Sequence, residues 1–214
     1  MGNGTGRIMS TLAGTPQLIN YMYGTLTTGT IGAIGGTLTP SVLQLMQDSL
    51  DEAESAINDY TRRQFAGTAG TVYMNRYSQR NVVSQALYLD QDLHTLISLT
   101  NGDGQVIPVG SVWLEPRNAG PPYRLIRLHS AYVYTWNTDS DVIVAGTFGF
   151  GTVPPAAIAR STVRLAAYYY RLKDVGIGDI AGQTDAGEVS YPKGLPADIK
   201  QQLDPYRSRS GGVV

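Results

Sequence analysis

The sequence predicts an α+β protein: two main helices packed with an inserted antiparallel, hairpin-rich sheet, and flexible N-terminal and C-terminal arms. Three observations support this fold class. Apolar residues recur every three or four positions after Pro40 and again after Pro155, as in amphipathic helices. Between these helices, residues 71–150 contain short β-type runs separated by turn-forming residues. Both ends of the chain are rich in glycine and poor in the large apolar groups that offset the entropy of ordering.

Residues 1–38 form the predicted N-terminal arm. Glycine and threonine dominate it, and Arg7 is its only charged side chain. We expect the arm to be disordered in the free monomer, because it offers little apolar surface to bury. Its apolar patch could dock on a neighbour and comprises Leu18, Ile19, Tyr21, Met22 and Tyr23.

The predicted core domain, residues 39–175, opens with a helix. Thr39 is a favourable N-cap, and Pro40 suits the first helical position. An apolar stripe then follows at helical spacing: Leu43, Met46, Leu50, Ala53, Ile57 and Tyr60. We expect Arg62 and Arg63 to lie in the last turn, where positive charge complements the helix dipole.

The middle of the core domain reads as an antiparallel sheet. Period-two runs such as 86–89, 93–99, 104–109, 123–128, 131–136 and 141–150 alternate with turn signals. The turn signals are NGDG at 101–104, RNAGPP at 117–122 and NTDSD at 137–141. Hairpins and meanders connect strands in this way.

The second helix follows a double proline. Pro154 forces Val153 out of the helical region and Pro155 can open a helix, so the strand-to-helix junction is sharp. We expect this helix to run to about residue 173, with an apolar stripe of Ile158, Thr162, Leu165, Tyr169 and Leu172.

Three consecutive tyrosines on the second helix indicate a second packed surface. Successive helix residues are about 100° apart, so Tyr168, Tyr169 and Tyr170 together cover roughly 200° of the circumference. If Tyr169 faces the core, at least one of its neighbours points away from it. We therefore predict that Tyr168 and Tyr170 contact another subunit. The alternative is a pair of half-exposed tyrosines with their hydroxyls in water.

Residues 176–214 form the predicted C-terminal arm, which holds one short helix from Pro196 to about Leu203. Ile199 and Leu203 are four positions apart on it, and Pro205 ends it. Arg207 and Arg209 follow.

The composition excludes several classes of protein. Sixteen Lys and Arg residues balance 17 Asp and Glu residues, so the net charge of −1 offers no basic field for nucleic acid. Without cysteine there is no disulfide and no thiolate metal site. No secretory signal or membrane-spanning run is expected, because no apolar segment is long enough. The 14 tyrosines, against 3 Phe and 2 Trp, suit half-wet subunit interfaces.

No motif for catalysis, a cofactor or a metal emerges. His94 and His129 are isolated, and GNGTGR at the N-terminus lacks the strand, lysine and helix of a phosphate-binding loop. Asn137, Asp139 and Asp141 alternate as in a calcium loop, but Val142 and Phe148 stand where its glycine and glutamate belong. We predict no enzymatic activity and no cofactor.

The order of features resembles one family. A capped helix ending in DYTRRQF precedes LTNGDGQVIP and WLEPRNAGPPYRLIRL; then come GTFGFGTVPPAAIARSTVRLAAYYYRLKD and GEVSYPKGLPADIKQQLDPYR. Over residues 39–207 this is similar to the head–tail connector proteins of tailed bacteriophages (adaptor or head-completion proteins), the gp6-like group. The VPP junction and the closing LDPYR carry most of the likeness.

The resemblance implies a structural virion protein made in the host cytoplasm and located in the neck, at the portal vertex. It implies a closed homo-oligomeric ring, usually of twelve subunits, that docks beneath the portal protein and extends the DNA channel. Genomic DNA would pass through the lumen without sequence-specific binding, and a stopper or tail-completion protein would attach to the ring. We expect no membrane partner, because no apolar run is long enough to span one.

The resemblance also assigns residues. The C-terminal segment of related proteins reaches toward the portal, which gives that role to Ile199, Leu203, Tyr206, Arg207 and Arg209. The long Gly/Thr arm before the first helix departs from the family pattern. Two alternatives stay open: another neck or tail-completion protein of a phage, and a small carbohydrate-binding or hydrolytic module.

Overall fold

The structure is a computed structural model that describes residues 12–24, 39–74, 82–130, 134–137, 139–174, 183–184, 187–188 and 194–208. The chain divides into two compact units. The helical unit comprises Met1–Arg62 and Pro155–Arg207, and the sheet unit comprises Arg63–Pro154 and Ser208–Val214. Helices together with an antiparallel sheet confirm the predicted α+β class. The flexibility predicted for the arms concerns many residues outside the described part of the chain.

The helix predicted after Thr39 is the longest one described. We number it α2, Pro40–Thr61, and its first turn is held as the capping signal predicts. The Thr39 hydroxyl accepts a hydrogen bond from the backbone N–H of Val42 at 3.3 Å. Met46, Leu50, Ala53 and Ile57 from the predicted stripe are buried, whereas Leu43 is exposed and Tyr60 half-buried.

The prediction for the end of α2 is wrong by one turn. The helix stops at Thr61, and Arg62 takes a left-handed conformation with φ 53°. Arg62 and Arg63 therefore lie beyond the last turn. The chain leaves the helix at Arg62, and Arg63 begins the sheet unit, where a carboxylate binds it as described below.

Helix α3, Ala156–Asp174, follows the double proline as predicted. The backbone N–H of Ala159 donates to the carbonyl of Pro155 at 3.0 Å, so the proline opens the helix. Ile158, Thr162 and Leu165 from the predicted stripe are buried. The remaining members of the stripe, Tyr169 and Leu172, are half-buried.

A helix occupies part of the predicted N-terminal arm. Helix α1, Thr15–Tyr23, buries Leu18 and Ile19 within the helical unit, where the sequence favoured disorder in the free monomer. Contacts with α2 and α3 provide the stabilisation that the composition of this segment does not predict. The Thr15 hydroxyl donates to the Gln47 side chain of α2 at 2.9 Å, and α1 also packs on α3.

The short C-terminal helix exists and belongs to the helical unit. Helix α4, Ala197–Leu203, continues into a tight 3₁₀ turn, Asp204–Tyr206. Ile199 and Leu203 are 2% and 0% exposed, because α4 packs against α3 and α2. Two two-residue strands described in the same unit, β7 (Gln183–Thr184) and β8 (Gly187–Glu188), pair with each other.

The sheet unit contains a six-stranded antiparallel sheet, as predicted. The strands are β1 (Thr68–Met74), β2 (Val82–Val83), β3 (Ala86–Thr100), β4 (Val112–Glu115), β5 (Tyr123–Leu128) and β6 (Val142–Phe148). Their order is β1-β6-β3-β5-β4, with β2 beside β3. Burial alternates along β6, as period-two side chains require, and its buried face joins Leu87, Leu99 and Ile126 in the core.

Strand β3 combines two predicted runs. Residues 86–89 and 93–99 belong to a single strand whose register shifts between Tyr88 and Leu93. Run 104–109 contributes only a bridge at Val106 and the start of a 3₁₀ turn, Val109–Ser111. Residues 134–136 of the run at 131–136 form no strand, and residues 131–133 lie outside the described part.

A glycine lets strands β3 and β6 approach closely. A methyl group on Gly146 of β6 would overlap the carbonyl oxygen of Thr95 on β3 and would lie 3.0 Å from the Leu93 side chain. A glycine at position 146 is therefore needed for the close packing of these two strands.

Candidate interaction surface

The three consecutive tyrosines of α3 are all half-buried in the helical unit. The ring centroids of Tyr168 and Tyr169 are 5.9 Å apart. Burial raises the pKa of the Tyr169 hydroxyl, and the charges of Glu52 and Tyr168 raise it further. Tyr169 thus belongs to the stripe that faces the unit's interior. Contact of Tyr168 and Tyr170 with another subunit stays a prediction.

A groove of about 400 Å³ lies between α1 and α3. Its walls are mainly apolar, and Tyr21 on α1 is 53% exposed at its edge. The residues that line it are Gln17, Tyr21, Ala159, Arg160, Val163 and Arg164. The sequence indicated that the patch around Tyr21 could dock, but the partner of Leu18 and Ile19 is the same chain.

A second cleft, of about 250 Å³, shares Tyr21 and Arg164 with the groove. Tyr168 and Arg171 of α3 line it together with Pro196 and Asp198 at the start of α4. Arg164 forms an ion pair with Asp198. Burial acts to raise the pKa of the Asp198 carboxyl, but the hydrogen bond and charge of Arg164 outweigh it, so the pKa lies below its usual value.

Three arginines share one side of α3. Arg160, Arg164 and Arg171 are spaced by four and seven residues, which keeps them within about 40° of each other around the helix. Arg160 and Arg171 are exposed, and Arg164 is half-buried. We call this surface the basic face. The four- and seven-residue spacing of these arginines is visible in the sequence. That they share an outer face can be recognised only when the buried side of α3 is known.

The C-terminal residues predicted to bind the portal lie in two environments. Ile199 and Leu203 are buried and hold α4 in the helical unit. Tyr206 is half-buried, and the guanidinium of exposed Arg207 lies 5.0 Å from the ring centroid of Tyr60. Arg209 lies outside the described residues.

A buried charge cluster in the sheet unit escaped the sequence analysis. Asp92, with 7% of its side chain exposed, binds Arg63 at 2.7 Å and Arg124 at 3.0 Å. Burial lowers the pKa of Arg63, and the charge of Asp92 opposes that shift. The Arg63 guanidinium also lies 5.3 Å from the Phe150 ring centroid. No local sequence pattern predicts these ion pairs, because Arg63 and Arg124 are 29 and 32 positions away from Asp92 in the chain.

The described residues hold no group of three or more His, Cys, Asp or Glu side chains that could bind a metal ion. His129 packs against Trp113, with ring centroids 4.4 Å apart. Asn137 and Asp139 form a turn in which the Asp139 N–H donates to the Asn137 side chain at 2.7 Å. In the same part of the chain, no helix is long and apolar enough to cross a membrane.

Comparison by sequence identifies no relatives. No protein-family model matches the chain, and no curated protein matches it.

Comparison by structure identifies components of gene transfer agent (GTA) particles. A chain of the neck of an empty GTA particle, computed with C6 symmetry, superposes with a TM-score of 0.58 at 18% identity, covering 96% of this chain and 94% of that one. A chain of the native particle's neck, computed with C12 symmetry, gives 0.51 at 18% identity over 86% and 92%. A chain of the native virion gives 0.56 at 20% identity over 96% and 94%. The protein therefore has the fold of these particle components.

Proposed function

We propose that this protein is a structural subunit of the neck of a phage-like particle. The observation that carries the proposal is the fold shared over 96% of this chain and 94% of a chain from a GTA neck. The likeness thus extends over nearly the whole of both chains. The order of motifs in residues 39–207, which resembles tailed-phage connector proteins, supports the same function independently.

Within the neck, we assign the protein the role of head-to-tail adaptor. Its copies form a ring beneath the portal, extend the DNA channel and provide the platform for a stopper or tail-completion protein. Necks that contain chains of this fold were computed with C6 and C12 symmetry, which supports a closed ring, and we propose twelve copies. The near-neutral net charge suits a channel wall, because strong phosphate contacts would hold DNA that has to slide.

The function is assembly without catalysis. Tyr168 and Tyr170 contribute apolar contact area to a neighbouring copy. Tyr206, Arg207 and Arg209 reach the portal. Ile199 and Leu203 act by fixing α4 on the helical unit, since their side chains are already buried there.

Native mass spectrometry and negative-stain imaging of the purified full-length chain test this proposal. We expect a closed ring, formed by the protein alone or after addition of portal protein, and co-sedimentation of that ring with the portal. A protein that stays monomeric at high concentration, with and without a portal, overturns the proposal.

A further inference from the structure

The near-zero net charge conceals a separation of charge between α2 and α3. From Pro40 to Thr61, α2 carries five carboxylates and no basic residue: Asp48, Asp51, Glu52, Glu54 and Asp59. Helix α3 carries four basic residues and one acid: Arg160, Arg164, Arg171, Lys173 and Asp174. The helical unit therefore has one acidic helix and one basic helix.

The charges on the two helices follow the same spacing. Asp48, Glu52 and Asp59 are separated by four and seven residues, as are the three arginines of the basic face. Each set spans about 16 Å along one side of its helix. We call the side of α2 that carries these carboxylates the acidic face. Glu52 and Asp59 are exposed on it, and Asp48 accepts a hydrogen bond from Gln44 at 3.0 Å.

The acidic face lies opposite the buried side of α2. Leu50, Ala53 and Ile57 are fully buried, and helical geometry places Glu52 about 130° and Asp59 about 150° from the centre of that buried stripe. On α3 the basic face is likewise turned away from the buried Ile158 and Leu165.

Helices α2 and α3 pack on each other, and Glu52 lies near enough to α3 for its charge to raise the pKa of Tyr169, so the acidic face borders α3 at Glu52 and is exposed at Asp59. A head-to-tail ring needs two different, complementary surfaces on each subunit.

We propose that the basic face of α3 in one copy contacts the acidic face of α2 in the next copy around the ring. This inference rests on the proposed ring function and assigns the two surfaces that form its interface. Within the described part of the chain, no ion pair involves Arg160, Arg171, Glu52 or Asp59, so these four side chains are available to a second copy.

The charges set the orientation of neighbouring copies more than they set affinity. Exposed ion pairs contribute little individually, but complementary rows select partner and register and disfavour alignments that bring like charges together. The apolar groove beside Arg160 and Arg164 supplies contact area next to the basic face. Assembly should weaken as salt rises, because the pairs are solvent-exposed.

A charge exchange between two variants of the full-length chain tests the interface. Variant one carries Arg160→Glu and Arg171→Glu, so both of its faces are acidic. Variant two carries Glu52→Arg and Asp59→Arg, so both of its faces are basic. We expect each variant alone to associate at least about tenfold more weakly than wild type. Mixed in equal amounts, they should form rings in which the two variants alternate, as read by native mass spectrometry.

Lys200→Glu is the matched control, because it reverses one exposed charge on α4, outside both faces. It should assemble as wild type does. The inference is overturned if either variant assembles alone like wild type, or if the mixture stays dissociated while both variants keep the wild-type melting temperature. If the wild type forms rings and the charge variants form them equally well, this interface is wrong and the proposed function stands. If the wild type forms no rings, the proposed function itself is wrong.

Discussion

The hydroxyl of Tyr60, in the last turn of α2, donates a 2.6 Å hydrogen bond to the carboxylate of Asp204, which lies 144 positions further along the chain. Arg207 stacks on the same tyrosine ring. These contacts involve the LDPYR segment that carries part of the connector resemblance. The segment therefore has a structural role within the helical unit in addition to the portal contact proposed for it.

The Tyr60–Asp204 bond predicts an altered titration. The hydrogen bond to Asp204 raises the pKa of the Tyr60 hydroxyl, and burial and the Asp204 charge add to it, against the opposing charge of Arg207. Because the folded pKa lies above the unfolded value of about 10, the bond's contribution to stability is fully present below about pH 10 and is lost as the pH rises through the folded pKa. Asp204→Asn should lower the pKa of Tyr60, as measured by NMR titration of ¹³C-labelled tyrosine. Asp198→Asn is the control, and an unchanged Tyr60 titration in Asp204→Asn would contradict the assignment.

Leu203→Ala should cost about 2–5 kcal/mol of unfolding free energy, because the side chain is fully buried in the helical unit. Gln201→Ala, on the exposed side of the same helix, should change it by less than about 0.5 kcal/mol. Urea denaturation monitored by circular dichroism measures both. Equal stability of the two variants would mean that α4 is a detachable arm.

Tyr168→Ala and Tyr170→Ala should weaken ring assembly more than they lower monomer stability, since both side chains are only half-buried in the monomer. Leu165→Ala provides the contrast. That side chain is fully buried, so its loss should cost about 2–5 kcal/mol of stability. Melting curves and sedimentation velocity, run on the same samples below the melting temperature, separate the two effects. Tyrosine variants that melt early yet assemble normally would refute the proposed contact.

Gly146→Ala should destabilise the sheet unit by about 1–3 kcal/mol, because its methyl group would overlap the Thr95 carbonyl. Gly70 is the natural control, since it lies directly opposite Gly146 in the β1–β6 ladder. A methyl group there meets nothing closer than 4.0 Å, so Gly70→Ala should be neutral or slightly stabilising. Chemical denaturation of the two variants decides this, and similar losses would rule out the close approach at Gly146.

Features signalled by local sequence were predictable. Thr39-Pro40 and Pro154-Pro155 begin helices where capping chemistry and the fixed φ of proline indicate. Period-two alternation identified the antiparallel sheet. The stripe through Leu50 and Ile57 is buried as its spacing predicts.

Features that depend on distant partners were not predictable. Helix α1 has a weak local signal and forms because Leu18 and Ile19 are buried in the helical unit. Strand β3 reads as two runs because Asp90, Gln91 and Asp92 interrupt the alternation, yet Asp92 is held there by arginines far away in sequence. The basic and acidic faces become visible only once the buried sides of α2 and α3 are known.

The division of the chain has a consequence for biosynthesis. Residues 63–154 of the sheet unit are contiguous, whereas the helical unit draws on segments from both sides of them. During translation α1 and α2 leave the ribosome first, but their apolar sides stay uncovered until α3 and α4 have been made. A domain folds once its whole sequence has emerged from the ribosome. The sheet unit is therefore expected to fold before the helical unit, although α1 and α2 are synthesised first. In the meantime, the uncovered apolar side of α2 is a natural target for molecular chaperones.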